Sequence, residues 1–267
     1  MTKVSNAHVV VTGGSSGIGL ATARLLASRG ASVSLIARGA ARLESAAAGL
    51  RSGGALVRTA AVDVSDQAAL TAALDGFVAD AGPCDVLITA AGLARPGPFL
   101  ELSDEVFRSM IEVDYFGTLY AIRAVAPSMV ARGRGSIVAI SSSTALLGFY
   151  GYSAYAPAKF AVRGLMEVVR SELKPAGIHV GCVFPPDVDA PQLAEENLYK
   201  PAETAAISGT IKPITADKVA ADIVRAIDRR RFAVYCDPGI AALSGLGPLF
   251  APVVRRFIDR RVRATLR

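Results

Sequence analysis

A short apolar run, His8–Thr12, passes directly into Thr12-Gly13-Gly14-Ser15-Ser16-Gly17-Ile18-Gly19, and a helix-like stretch begins inside that glycine cluster. Few folds can use such a junction. Glycines permit a tight turn and close approach of the backbone to a phosphate, and the N-terminus of the following helix favours the anion. The loop alone also fits a glycine-rich turn with no ligand. What gives it meaning is the strand before it and the helix after it.

The same alternation continues along the chain. Ser32–Ala37, Leu56–Val62, Asp85–Thr89, Ser136–Ser141 and His179–Phe184 are short, β-branched and apolar almost without interruption, as strands buried on both faces are. Between them lie helical segments, roughly Ile18–Ser28, Ala41–Leu50, Gln67–Ala79, Asp104–Ala131 and Ala158–Lys174. This order predicts a Rossmann-type, doubly wound parallel sheet with helices on both faces. It occupies residues 1–237 as one domain, with an insertion at 187–214 and a separate tail at 238–267. Hydrophobic residues make up 52% of the chain, enough for a substantial core. No apolar run reaches the roughly 18 residues of a membrane span, and the short polar stretch before His8 predicts no signal peptide. Cys84, Cys182 and Cys236 are odd in number and lack metal-ligand spacing, so no metal site is expected and a reduced, cytoplasmic setting is. His8 and His179 fall inside strands and read as structural.

Candidate chemistry concentrates beyond the fifth strand. Tyr155 and Lys159 are four apart at a helix start and so share a face. Pro157 between them fits only a first helical turn. Ser142 precedes Tyr155 by thirteen positions, at a strand C-terminus, where open parallel sheets bind ligands. A phenol is a poor acid–base group near neutrality unless a cation favours its ionised form, and Lys159 is read as that cation. Ser142 is read as a hydrogen-bond donor to a substrate oxygen. The second strand ends in Arg38, which suits a 2′-phosphate where a carboxylate would suit a free ribose hydroxyl, or else is a solvated arginine at a helix entry.

The spacing TGxxxGxG at Thr12–Gly19, with Ser142 and the Tyr155-x-x-x-Lys159 motif, resembles the short-chain dehydrogenase/reductase family. The resemblance covers roughly residues 8–235. It implies an NADPH-dependent ketone reductase, commonly a homodimer or homotetramer. The implied cofactor residues are Gly13, Ser15, Ser16, Gly17, Ile18, Gly19 and Arg38, then Asp63 and Val64 at the adenine, and Ala91 and Gly92 in a turn where Thr89 replaces the usual first Asn. Pro185 and Val188 complete the set, with Tyr155 and Lys159 shared between cofactor and chemistry; Lys159 also holds the nicotinamide ribose. Where the family usually carries a catalytic Asn, this chain has Asp114, read as a member of the proton relay or as a structural polar residue. Ala190 stands where a Thr usually contacts the nicotinamide amide, which leaves that contact to the Val188 backbone.

After the sixth strand the chain reads Pro185-Pro186-Asp187-Val188-Asp189, then Glu195-Glu196-Asn197, Lys200-Pro201, Glu203-Thr204 and Ile207-Ser208. These residues are similar to the branch of the family that acts on 3-ketodihydrosphingosine, a long-chain sphingoid ketone. Another lipid-like ketone, such as a 3-oxoacyl thioester or a steroid, is the alternative substrate, and a non-catalytic dinucleotide-binding regulator is a third reading. The insertion is expected to form a flap over the substrate. Glu195, Glu196 and Lys200 in it are read two ways, as partners of a substrate amino group or as a solvated helix face.

The net charge of +6 belongs to the C-terminal part. From Arg225 to Arg267 there are ten Arg and three Asp, a balance of +7, so the rest sums to −1. That distribution excludes a general nucleic-acid surface. In the tail Leu249, Phe250, Val253, Val254, Phe257 and Ile258 recur at helical spacing, with Arg255, Arg256, Arg260, Arg263 and Arg267 largely opposite. Such a helix suits peripheral contact with an anionic membrane, at its cytoplasmic face, or packing on the protein body with a solvated arginine face.

Overall fold

The computed structural model describes residues 4–208 and 212–265. Seven parallel strands form its centre: β1 (His8–Thr12), β2 (Ser32–Ala37), β3 (Val57–Ala61), β4 (Val86–Thr89), β5 (Gly135–Ile140), β6 (Ile178–Phe184) and, after a two-residue pair β7 (Val188–Asp189) and β8 (Ile214–Thr215), the edge strand β9 (Ala233–Tyr235). Their spatial order is β3-β2-β1-β4-β5-β6-β9. The chain winds outward from β1 in one direction, then restarts on its other side at β4. That reversal opens a crevice beyond the C-terminal ends of β1 and β4, the place where such sheets receive ligands.

The helices are α1 (Gly17–Ser28), α2 (Ala40–Ser52), α3 (Gln67–Ala81), α4 (Asp104–Met110), α5 (Gly117–Arg132), α6 (Tyr155–Leu173), α7 (Pro191–Asn197), α8 (Ala202–Ser208), α9 (Ala216–Arg229) and α10 (Pro238–Thr265). Every residue of β1, β4, β5 and β6 is buried, which is why these strands read as unbroken apolar runs. One core layer joins Leu26 of α1 and Leu43 of α2 to Val219, Ile223 and Ile227 of α9. The other joins Leu70, Leu74 and Phe77 of α3 to Val125 and Met129 of α5 and Val162 and Met166 of α6. Both predicted structural histidines serve as hydrogen-bonded struts between strands. His8 Nδ1 meets Gly82 O at 2.7 Å and Nε2 meets Ser34 Oγ at 2.8 Å, while His179 bridges Ser136 Oγ and Arg231 O at 3.2 and 2.9 Å.

Three features differ from the sequence reading. Residues 215–235, which carried no assigned element, hold α9 and β9. The stretch Asp104–Ala131 is not one helix, because Ile111–Phe116 is a π-helical turn between α4 and α5. Wider i→i+5 turns of this kind recur at functional sites. Finally, α6 begins at Tyr155 instead of Ala158, so Pro157 lies in its first turn, where a missing N–H costs nothing.

The 187–214 insertion rises from the end of β6 as α7 and α8 and is pinned at its base by the parallel pair Val188↔Ile214 and Asp189↔Thr215. The tail is helical over its described length. Ile258 is buried against Leu147 and Ile207, with Leu243 and Val262 alongside, so this part of α10 packs on the body. Val253 is 60% exposed, and Arg255, Arg256, Arg260 and Arg263 are exposed. The side chains of Leu249, Phe250, Val254 and Phe257, and the whole of Arg267, lie outside the described residues. Among the described residues, no helix is long and apolar enough to cross a membrane.

Candidate active site

The crevice is a cavity of about 970 Å³ running from the glycine loop past the end of β5 to the flap. Each predicted cofactor position, from Gly13 through Arg38, Asp63, Val64, Ala91 and Gly92 to Pro185 and Val188, lines it. So do Ser142, Tyr155 and Lys159, whereas Asp114 lies behind the wall.

At the phosphate end, Gly13 has φ +71°, and a Cβ there would meet Ala90 O at 2.5 Å. The loop can therefore pass this close to the β4 turn only as glycine. The α1 N-terminus follows with no acidic residue in its first turn to compete with an anion. Backbone N–H groups and a clear approach fit a pyrophosphate. At the far rim Arg38 is 59% exposed, with its Nη1 4.0 Å from Asp63 Oδ2. Asp63 Oδ1 meanwhile accepts from the Ser65 N–H at 3.0 Å and the Ser65 hydroxyl at 2.7 Å. Arg42, one turn into α2, also lines this rim. Sequence reasoning missed it, although its place four residues after Arg38 was a usable signal.

At the other end Tyr155 is buried beside Ser142. Ser142 Oγ accepts from the Thr144 N–H at 3.1 Å, which fixes its lone pairs and leaves its proton to donate. Lys159 Nζ donates to Ile140 O at 3.2 Å, lies 3.4 Å from Asp114 Oδ1 and sits 5.5 Å from the centre of the Tyr155 ring. Asp114 is fully buried, and its Oδ1 also accepts from the Leu93 N–H at 3.0 Å. Burial pushes its carboxyl pKa up, against the pull of Lys159.

Burial and nearby carboxylates dominate the electrostatics of the Tyr155 phenol. Burial raises the Tyr155 pKa well above the usual value, the Asp114 and Glu196 carboxylates raise it further, and a hydrogen bond with Ser142 opposes them. Burial and these carboxylates favour the neutral phenol, and Lys159, 5.5 Å from the ring centre, is the nearby cation. The arrangement can therefore give a proton to an oxygen held by Ser142.

The flap adds residues that the sequence singled out only in part. Glu196 and Lys200 are buried beneath it, while Glu195 is exposed. The Tyr152 hydroxyl donates to Glu196 Oε1, and Lys200 Nζ lies 3.2 Å from Asp187 Oδ2. Tyr152 and Asp187 thus join the wall beside Tyr155; Asp187 stands in the Pro185–Asp189 string already noted, and Tyr152 had only its Tyr152-x-x-Tyr155 spacing as a sequence signal.

A glycine-lined crevice at the switch point of a Rossmann sheet, ending on a buried acid, defines the oxidoreductases that bind a dinucleotide across the strand ends. The sequence matches the family described as short chain dehydrogenase over residues 7–200, and the chain belongs to that family. It is 38% identical to a 3-ketodihydrosphingosine reductase of Dictyostelium discoideum, over 96% of this chain and 82% of that protein. With a 3-dehydrosphinganine reductase of Danio rerio it shares 38% identity over 94% of this chain and 77% of that one. Among solved structures, a short-chain dehydrogenase/reductase from Burkholderia phymatum in complex with NAD superposes with a TM-score of 0.85 at 25% identity, covering 95% of this chain and 96% of that chain. A short-chain dehydrogenase from Sphingobium yanoikuyae in complex with NADPH gives 0.80 at 28% identity, covering 93% and 95%.

Gly92 closes the wall in front of the Asp114–Lys159 pair. A Cβ there would meet Asp114 Oδ1 at 2.8 Å and Lys159 Nζ at 3.3 Å. Gly92→Ala is therefore expected to destabilise the fold by about 1–3 kcal/mol through overpacking. Gly49→Ala, in open space on α2, should be neutral or stabilising. Denaturant melts of both variants check this, and a wild-type midpoint for Gly92→Ala would show that the pair is not tightly held.

Proposed function

We propose that this protein reduces 3-ketodihydrosphingosine to dihydrosphingosine with NADPH, a step of sphingolipid synthesis. The observation that carries the reaction is the Tyr155 phenol, buried and lining the same cavity as Ser142 and Lys159. The substrate rests on likeness to sphingoid-ketone reductases over nearly the whole chain, flap included.

Tyr155 gives its proton to the carbonyl oxygen as the carbonyl carbon is reduced. Ser142 holds that oxygen with the proton that its Thr144 contact leaves available. Lys159 then stabilises the phenolate that remains, and it is kept in place by Asp114 and Ile140 O. Asp114 takes part through Lys159 and not by touching substrate. The glycine loop and the α1 N-terminus hold the pyrophosphate, and the Ala91–Gly92 turn and the Pro185–Val188 segment flank the nicotinamide end. A nicotinamide dinucleotide bound there supplies the hydride.

Turnover of purified protein, followed as NADPH oxidation, should appear with 3-ketodihydrosphingosine and not with a 3-oxoacyl thioester or a steroid ketone. Tyr155→Phe should lower it by about 10²–10⁴-fold with dinucleotide binding retained. Activity confined to the thioester or the steroid would leave the reductase class and remove the sphingoid substrate. Wild-type turnover in the Tyr155→Phe variant would remove the proton donor.

The choice of NADPH over NADH rests on Arg38, supported by Arg42 on the same rim. Replacing both by Ala is expected to cut kcat/KM for NADPH about 10- to 100-fold relative to NADH, the worth of charged hydrogen bonds to a phosphate. An unchanged ratio would assign the 2′-phosphate to other residues.

Peripheral membrane contact is the remaining part of the reading. It rests on Arg255, Arg256, Arg260 and Arg263, exposed on α10 with Val253. Co-sedimentation with vesicles containing phosphatidylserine, lost at high salt or in a variant with these four arginines changed to Gln, is the expected result. Equal binding to neutral vesicles would assign the arginines to solvent.

A further inference from the structure

Beside Tyr155 the flap brings in a second buried ionic cluster that proton transfer does not use. Glu196, in α7, is 7% exposed. Its Oε1 takes the Tyr152 hydroxyl proton in a hydrogen bond and lies 3.4 Å from Lys200 Nζ, whose other partner is Asp187 Oδ2 at 3.2 Å. With both carboxyls ionised, two carboxylates share one ammonium; burial raises the Glu196 pKa against the pull of Tyr152 and Lys200, and Asp187 keeps 29% of its side chain exposed. A buried charge is costly unless it is paired. Both recorded contacts of Glu196 fall on Oε1, and among the described residues Oε2 has no hydrogen-bond partner. Glu196 and Asp187 both line the cavity that Tyr155 enters.

The position of the excess charge matters as much as its sign. Tyr152 and Tyr155 are 5.8 Å apart, centroid to centroid, and the Glu196 charge is felt at the Tyr155 hydroxyl. A cation recognised by Glu196 therefore lies next to the reacting carbonyl and not at the far end of a long chain. The other buried pair, Asp114 with Lys159, is matched one to one, and its carboxylate lies behind the cavity wall. Glu195, next in sequence, also lines the cavity but is exposed and is in none of the ion pairs described.

We propose that Glu196, braced by Tyr152 and Lys200 and supported by Asp187, selects ketones that carry a primary ammonium on the carbon beside the carbonyl. The substrate's ammonium completes a balance of two cations and two carboxylates, and a ketone without it leaves Glu196 uncompensated. This assignment rests on the sphingoid-ketone reading above, whose substrate has its amine on that carbon.

The test compares kcat/KM of the full chain for 3-ketodihydrosphingosine and for the des-amino ketone of the same length, at saturating NADPH, in wild type and in Glu196→Gln. Gln keeps an acceptor for Tyr152 and removes only the charge. The wild type is expected to prefer the amino ketone at least about 30-fold, and Glu196→Gln to bring that ratio below about threefold. Asp187→Asn, which removes charge from the other side of Lys200, should narrow the ratio too and gives a second reading should Glu196→Gln not fold. A wild type without the preference, or variants that lose both activities in proportion, overturns the assignment while leaving the sphingoid reading standing. Should the protein reduce only neutral ketones, the sphingoid reading fails by itself. In that case, stronger inhibition by a long-chain primary amine than by the matching alcohol, abolished in Glu196→Gln, upholds the cation site, and equal inhibition overturns it.

Discussion

Lys159 carries its ammonium almost out of reach of water, and much of the active-site architecture follows from the need to answer that charge. Breaking a buried pair by removing one partner typically costs about 3–5 kcal/mol, so Asp114 has to arrive within reach from another element. It does so from the π-helical turn Ile111–Phe116, at 3.4 Å, while the end of β5 supplies Ile140 O. Asp114 is in turn held by the Leu93 N–H, which brings the segment after β4 against the pair. The residue between, Gly92, then has no room for a side chain. One buried cation thus ties together α6, the π turn, β5 and the β4 loop, and the cavity wall is the surface these four present.

The phenol shows why this arrangement differs from a simple lysine-activated tyrosine. Had Lys159 been unpaired, its field would pull the Tyr155 pKa down. With Asp114 at its side, the carboxylate adds to the desolvation of the buried phenol, and both raise its pKa. A protonated donor suits the reductive direction, in which a proton must be delivered. Asp114, which departs from the residue usual in the family, sets this balance without lining the cavity.

Much of this was legible in the sequence, and the boundary of legibility has a physical form. Strands β1, β4, β5 and β6 could be read because strands buried on both faces have to be apolar throughout, and the tyrosine and lysine because a four-residue spacing on a helix is itself geometry. The π turn could not be read, because a change of hydrogen-bond partner by one residue leaves no mark in the pattern of side chains. Strand β9 was missed because three residues following Arg229-Arg230-Arg231 carry too little periodicity to outweigh their basic flank. Glu195 and Glu196 are chemically identical neighbours, and only the rotation of α7 against the body decides that one is solvated and the other buried. The tail is a further case. Its apolar stripe fits a membrane or the protein equally well by spacing, and contact with Leu147 and Ile207 is what assigns Ile258 to the protein.

Two buried ionic groups therefore flank one phenol, and they differ in a way that bears on how recognition meets chemistry. The Asp114–Lys159 pair is matched one to one, with its carboxylate behind the cavity wall. The Glu196–Lys200–Asp187 group is one positive charge short, and its field reaches Tyr155 in the sense that keeps the phenol protonated. A cation set against Glu196 offsets that contribution, by the same electrostatics that make the contribution felt. Since Glu196 belongs to the flap and Tyr155 to α6, the strength of that coupling depends on how closely α7 is seated over the cavity. The short parallel pair of β7 and β8 at the base of the flap holds that distance.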